Sequence, residues 1–427
     1  MDIKEIFSIC NYVLTAVFVL CYIYQFFYIF YVFLGKDRSL PVKSQKQNKF
    51  GVVICARNEE NVIGNLLDSI NRQDYPSELV KIFLVADNCT DNTAQVGRDH
   101  GATVIERFNN ELVGKGYALD MLFKKLLDEK DDCDVYIIFD ADNLVDKNFI
   151  KEMNVNFNRG YAALTSYRNS KNYGTNWISA GYSLWFLREA KYLNNARMRL
   201  GTSCAISGTG FCVSRDIIAR NGGWPYHLLT EDIEFSADLI VKGEKIGYSG
   251  NSIVYDEQPE TFKQSWKQRM RWAKGFYQVF GKYGGKLFGG IFRGSFACYD
   301  MFMTICPAIV FTVLSVLCCT AECIYGITII AKFPTMANVF VFLLMPILYY
   351  IVIVYMLLFI VGFITVITEW DSISCTPGER IKYLFTFPLF MLTYAPIGIA
   401  AIFKRKVAWD PIKHSVETSI EDIEGKK

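Results

Sequence analysis

The chain has 427 residues, 52% of them hydrophobic, 15% aromatic and 21% charged, with a net charge of +2. So apolar a composition argues for a membrane class, and so small a net charge gives no reason to expect a nucleic-acid partner. Thirteen cysteines are present, but many stand singly in apolar runs (Cys10, Cys21, Cys306, Cys318, Cys319) without metal-site spacing, and they read as buried free thiols, not a disulfide framework.

Ile6 to Gly35 holds no charged residue, and about 20 apolar residues suffice to span a bilayer as a helix. Residues 1–35 are therefore expected to form a transmembrane helix. Its start, Met1-Asp2-Ile3-Lys4-Glu5, and its many Tyr and Phe residues argue for a retained anchor over a cleaved signal. Residues 36–49 carry Lys36, Arg38, Lys43, Lys46 and Lys49 against Asp37. The positive-inside tendency makes this linker cytoplasmic and the amino terminus external.

Residues 50–260 alternate short apolar runs (Val52-Val53-Ile54-Cys55, Ile82-Phe83-Leu84-Val85, Val135-Tyr136-Ile137-Ile138-Phe139) with helix-length amphipathic stretches. That alternation predicts an α/β domain with a mostly parallel sheet, whose ligands gather at the carboxyl ends of the strands. Asp87 and Asp140 each follow such a run. Residues 261–298 are basic and aromatic and read as amphipathic interfacial helix. Residues 299–403 contain three more apolar stretches: Met301 to Ala331, broken only by Glu322; Phe333 to Thr368; and Tyr383 to Phe403, with Pro388 and Pro396. If all three cross, the basic start of the polar tail 404–427 lies outside, against the positive-inside tendency. The last stretch is the expected exception, as a broken or re-entrant element.

Several motifs point to chemistry. Asp140-Ala141-Asp142 offers two carboxylates at a strand end, able to hold Mg²⁺ or Mn²⁺ together with diphosphate oxygens; alone, such a pair is more often a solvated turn. Lys115 stands between Gly114 and Gly116, where the absence of side chains would let it approach a diphosphate. Thr230-Glu231-Asp232 follows the turn-rich Gly222-Gly223-Trp224-Pro225 and fits the first turn of a helix, where unpaired N–H groups support a carboxylate and Thr230 reads as an N-cap. Gln268-Arg269-Met270-Arg271-Trp272 lies in the interfacial stretch. Ser207-Gly208-Thr209-Gly210 reads as a tight loop near the acceptor or as an ordinary turn, and Trp409 as a cap on the site or an interfacial anchor.

In this order the motifs resemble those of the membrane-embedded family 2 glycosyltransferases, the cellulose, hyaluronan, chitin and poly-N-acetylglucosamine synthases. The resemblance covers roughly residues 1 to 410, with a departure near Trp409, where the hyaluronan and chitin pattern has a Trp-Gly-Thr-like element. It implies a cytoplasmic domain of GT-A type and an α-helical transmembrane bundle. It also implies donor contacts from Arg57, Glu59, Asp87, Lys115, Asp140, Gln268, Arg269 and Arg271, and metal binding by Asp140 and Asp142. Asp232 would be the general base beside Glu231, with Asp142 at the reacting centre and Trp272, Thr230 and Gly208 at the acceptor. The implied activity is inverting polymerisation of a β-linked polysaccharide from a UDP-sugar, UDP-glucose slightly ahead of UDP-N-acetylglucosamine, with export of the growing polysaccharide through the protein's own helices. The lipid bilayer is then a partner and the plasma membrane the location. Transfer of one sugar to a membrane lipid is the enzyme alternative, and a transporter or receptor without catalysis the other; the latter leaves the motifs unexplained.

Overall fold

The structure, a computed structural model, describes residues 3–305, 307–404 and 420–424. Trp409 and Arg405-Lys406 lie outside the described residues. The unbroken apolar runs form the sheet's centre. Strand β1 (Phe50–Ala56) lies between β2 (Val80–Asp87) and β4 (Val135–Asp140), parallel to both, and β3 (Thr103–Arg107) extends the parallel half beyond β2. Strands so placed are covered on both faces, which is why their sequences do not alternate.

Beyond β4 the sheet becomes mixed. Strand β7 (Phe211–Ser214) is antiparallel to β4 and to β6 (Ala163–Ser170), β8 (Ile246–Asp256) is parallel to β6, and β5 (Leu144–Val145) closes the edge. The order is β3-β2-β1-β4-β7-β6-β8-β5. The expected open, mostly parallel sheet is present, and the reversal at β7 has a consequence for the site. Because β7 starts opposite Ile138, the loop before it lies at the carboxyl end of β4, beside Asp140.

Among the described residues, four helices are long and apolar enough to cross a membrane: Glu5–Leu34, Val313–Lys332, Ile347–Thr368 and Pro377–Phe403. They mark a membrane protein, and the described cysteines are all free thiols. Glu322 is met by Asn11, whose Nδ2 donates to its carboxylate at 3.0 Å. The last apolar element is broken as expected, but at one of its two prolines: Pro388 lies inside a continuous helix and Pro396 just after the break. A capping box of Thr376 and Glu379, with Pro377 behind it, starts the helix Pro377–Leu392. A second helix, Tyr394–Phe403, begins after a break at Thr393; the ring of Pro396 would meet the carbonyl of Leu392 in a continuous helix.

Both parts of this element lie against the catalytic domain and the helix that follows it. Tyr383 donates to the carbonyl of Gly174 at 3.1 Å, Tyr277 to that of Gly398 at 2.8 Å, and Lys274 to that of Ala401 at 3.3 Å. Farther on, Ile423 is buried against Leu144 and Tyr255, and Glu421 pairs with Arg72. A single crossing would separate such ends by the thickness of the bilayer. A cysteine at position 421 is therefore expected to react with an impermeant maleimide only from the side that labels position 44, over the background of the unsubstituted protein; labelling from the opposite face would contradict the docked tail.

The amino-terminal helix is fastened by a buried charge. Arg197 donates to both oxygens of Asp300 at 2.6 and 2.8 Å, and Tyr24 and Tyr28 donate to the same carboxylate at 2.9 and 2.7 Å. Arg197 and Asp300 are each 2% exposed, so removing one partner strands the other in a medium that cannot solvate it. Asp300→Ala is expected to cost about 3–5 kcal/mol, read as a lower melting temperature in detergent. An unchanged melt would remove this pair from any account of how the first helix is held.

Candidate active site

The carboxyl ends of β1, β2 and β4 open on a cavity of about 1050 Å³ that continues between the apolar helices, at the upper end of the roughly 300–1,000 Å³ usual for ligand sites. Arg57 and Glu59 line it from the end of β1, and Asp87 from the end of β2. The two loops are cross-bonded: Thr90 N–H donates to Asn58 Oδ1 at 2.8 Å, and Glu59 N–H to Thr93 Oγ1 at 2.8 Å. Asp87 is held by the Arg107 guanidinium at 2.5 Å, both side chains being 8% exposed. A buried carboxylate needs such a partner, and it comes from β3, twenty residues on, where no local pattern marks it.

Lys115 opens the helix Lys115–Asp128. Its ammonium donates to Asp140 at 2.5 Å and to the carbonyl of Gly208 at 3.1 Å. Burial alone would lower its pKa, but the charges of Asp140 and Glu231 outweigh burial and hold it protonated. Gly116 has a different reason from the one its motif implied: a Cβ there would come 2.2 Å from the carbonyl of Tyr226, so the glycine permits backbone packing.

The loop Ser207–Gly210 links these groups to the next motif. Thr209 Oγ1 accepts from Asp140 N–H at 2.9 Å, and Gly208 N–H donates to Asp232 Oδ2 at 2.6 Å. Glu231 and Asp232 occupy the first turn of the helix Glu231–Val241, as expected. Thr230 stands at the N-cap position, but its side chain makes no capping hydrogen bond. Burial, then the charge of Asp232, pushes the Glu231 carboxyl above its ordinary range; burial also raises Asp232, against the pull of the N–H groups of Ile233 and Gly208. Gly208, Thr230, Glu231 and Asp232 all line the cavity.

Helix Phe262–Phe292 carries the last motif. Gln268, Arg271 and Trp272 line the cavity; Gln268 Oε1 and Arg271 Nε are buried without a hydrogen-bond partner, as are Nε and one terminal nitrogen of Arg269 between them, so it is their place on the cavity wall that makes Gln268 and Arg271 available to a polar ligand. The Trp272 indole is braced edge-on by Tyr182 and Phe186, with centroids 5.6 and 6.2 Å away. Arg269 departs from the expected donor set. Fully buried, it turns away from the cavity to donate to Thr393 Oγ1 at 2.6 Å and the carbonyl of Phe390 at 3.2 Å, and its guanidinium packs on the Phe390 and Tyr394 rings. Each residue along a helix is a rotation of about 100°, so Arg269 and Arg271, two apart, point about 200° from one another and cannot both face the ligand.

Asp140 and Asp142 also line the cavity, and the ammonium on Asp140 is a cation already seated at that carboxylate. This all-oxygen pair fits a hard divalent ion. Another acidic group, Asp131-Asp132-Cys133, could in principle hold metal. It precedes β4 at the amino ends of the strands, opposite the end on which the cavity opens, and Lys81 and Lys49 already neutralise its carboxylates at 2.5–2.6 Å. Cavity-lining groups that sequence reading passed over include Tyr117 and His227, stacked at 4.2 Å, and Trp185, Arg168 and Arg188.

Residues 47–275, more than half of the chain, match the family described as glycosyltransferase like family 2. The chain is a family 2 glycosyltransferase. This glycosyltransferase is 28% identical over 233 residues to the beta-monoglucosyldiacylglycerol synthase of Synechocystis sp., covering 53% of its own length and 47% of that protein. It is 26% identical over 262 residues to the poly-beta-1,6-N-acetyl-D-glucosamine synthase of Staphylococcus epidermidis, covering 59% and 61%. The matches thus span about half to three-fifths of these relatives. Its fold is similar to that of a mannosyltransferase from Pyrobaculum calidifontis solved with GDP-Man and Mn²⁺, with a TM-score of 0.59 at 14% identity over 94% of this chain and all of that one.

Packing at Gly275 offers a test of how the site is held. A Cβ there would come 2.5 Å from both Thr230 Cγ2 and Oγ1, so Gly275→Ala must displace the turn that carries Glu231 and Asp232. Misplacement by about 1 Å can cost around a hundredfold in rate. Gly275→Ala is expected to lose at least tenfold in kcat with little change in melting temperature, and Thr230→Ser, which removes one of the opposing atoms, to recover part of it. Undiminished turnover in Gly275→Ala would show that this contact does not position the turn.

Proposed function

We propose that the glycosyltransferase moves a single hexose from a UDP-sugar to a hydroxyl of a membrane lipid, with inversion and with Mg²⁺ or Mn²⁺ at Asp140 and Asp142. The observation that carries this reading is the course of the cavity. It runs from Asp232 and Trp272 into walls made of Phe18, Val19, Phe311, Val316, Ile351 and Val354. Such walls offer sugar hydroxyls no hydrogen bonds but suit a hydrocarbon chain. Sequence alone ranks a growing polysaccharide above a lipid; the apolar walls favour the lipid. The relatives include a maker of each kind of product and do not choose between them.

In this reading Asp87 and Arg57 meet the base, while Lys115, Gln268 and Arg271 surround the diphosphate. The metal ion, when bound, would neutralise charge on the leaving diphosphate. Asp232, held by the Gly208 N–H, accepts the proton of the acceptor hydroxyl as that oxygen bonds to C1 of the sugar. The bond from C1 to the nucleoside diphosphate breaks, its electron pair leaving with the diphosphate. One base and no enzyme nucleophile give inversion. Arg269 takes no part in the donor site; it fastens the helix of Trp272 to the broken element. The basic linker Lys36 to Lys49 puts the catalytic domain in the cytoplasm.

Membranes given radiolabelled UDP-glucose or UDP-N-acetylglucosamine are expected to yield organic-extractable lipid bearing one sugar. High-molecular-weight polymer in its place would overturn the lipid reading in favour of processive synthesis. EDTA should stop transfer and Mn²⁺ or Mg²⁺ restore it, and Asp232→Asn should lose about 10²–10⁴-fold in kcat. Because the working form of Asp232 is the carboxylate, activity falls as pH drops through its pKa. Burial raises that pKa, so the acid limb is expected above the roughly 3.9 of an exposed aspartate. Full activity in excess chelator would sink the metal assignment.

A further inference from the structure

The helix Trp177–Arg188 presents Trp185 and Arg188 to the cavity, three residues apart and so on one face. Arg188 donates to the side-chain carbonyl of Gln25, on the amino-terminal membrane helix, at 2.6 Å, and its guanidinium lies 4.8 Å from the Trp185 ring. Neighbouring arginines are already committed: Arg197 to Asp300, and Arg168 to Asp256. Among the described residues no carboxylate lies within ion-pair distance of Arg188. The acid whose charge acts on it is Glu189, the next residue, and that one carboxylate is shared with Arg197 and Arg168, which act on it as well. A guanidinium so enclosed, with an amide oxygen as its hydrogen-bonding partner, is electrostatically incomplete. Gln25 bonds to it, and Gln25 stands on the same cavity-lining helix as Phe18 and Val19, so Arg188 sits where the apolar part of the cavity meets the polar part.

Resting on the lipid-acceptor reading, we propose that Arg188 is an anion subsite for the acceptor's headgroup, and that the acceptor is a phosphate-bearing lipid: chains between the membrane helices, phosphate on Arg188 and Gln25, hydroxyl at Asp232. A planar guanidinium pairs two phosphate oxygens at once, which a lysine cannot reproduce. The need for a base at Asp232 favours a phosphodiester lipid with a free headgroup hydroxyl over a phosphomonoester, whose own oxygen would attack without one.

The test uses full-length protein in mixed micelles with radiolabelled UDP-sugar and one lipid at a time: phosphatidylglycerol, polyprenyl phosphate, or diacylglycerol. Label is expected in phosphatidylglycerol, and Arg188→Gln should raise the KM for that lipid about ten- to hundredfold while leaving the donor KM and the slow hydrolysis of UDP-sugar by water unchanged. Arg188→Lys, which keeps the charge without the fork, should fall between. Labelling of polyprenyl phosphate that depends equally on Arg188 would keep the phosphate subsite and overturn the phosphodiester preference. Equal labelling of diacylglycerol, or a lipid KM indifferent to Arg188→Gln, overturns the anion subsite and leaves the lipid acceptor standing. No transfer to any of these lipids by protein that still hydrolyses UDP-sugar overturns the inference together with the reading beneath it.

Discussion

The buried carboxylate of Asp300 is the point through which the membrane and catalytic parts are joined. It accepts from Arg197 of the catalytic domain and from Tyr24 and Tyr28 of the amino-terminal helix. Each donor is hard to replace in a dry environment, so the helix can neither slide nor rotate without stranding a charge. That fixed placement lets Gln25 reach Arg188 and lets Phe18 and Val19 wall the cavity. A second tie, from Glu369 at the end of Met345–Thr368 to Lys191 at 2.7 Å and to Tyr167, anchors another membrane helix on the sheet. The cavity's continuity from strand ends to membrane is a product of these ties.

Within the catalytic domain the same economy of contacts recurs at the loop Ser207–Gly210. Its backbone and one hydroxyl touch Lys115, Asp140 and Asp232, groups that come from three separate stretches of chain. A loop that bonds through its backbone positions these side chains more rigidly than they could position one another, since like charges such as Asp140, Glu231 and Asp232 repel. Lys115 offsets part of that repulsion.

The arginines illustrate how one charge serves different ends according to what faces it. Arg107 orients Asp87, Arg197 fastens a helix, and Arg269 satisfies carbonyl and hydroxyl groups at the break near Thr393. Arg271, on the same helix, lines the cavity, which Arg269 does not. Composition cannot distinguish them; helix rotation and the partner's position do.

Much of the fold was legible because its signals are local. The runs at Val52, Ile82 and Val135 are strands buried on both faces; about 20 apolar residues make a span; and two prolines in Tyr383 to Phe403 announce a broken element. Asp87, Lys115, Asp140 and Asp232 could be picked out because they sit at strand or helix ends, where backbone geometry concentrates charge, whereas Gln268 to Trp272 lie inside the helix Phe262–Phe292 and stood out only as a motif. What tertiary structure decided is the set of relations that chain separation hides. The antiparallel placement of β7 brings Gly208 to Asp232, Arg107 reaches Asp87 from the neighbouring strand β3, where the two are in register, and Gly116 and Gly275 are small for the sake of Tyr226 and Thr230. Arg188 lay in an unremarked helix until Gln25 came to meet it. Short-range preferences of the backbone are written in consecutive residues, whereas the pairing of buried charges depends on which distant groups the packing brings within about 3 Å, and that is settled only when the whole chain has folded.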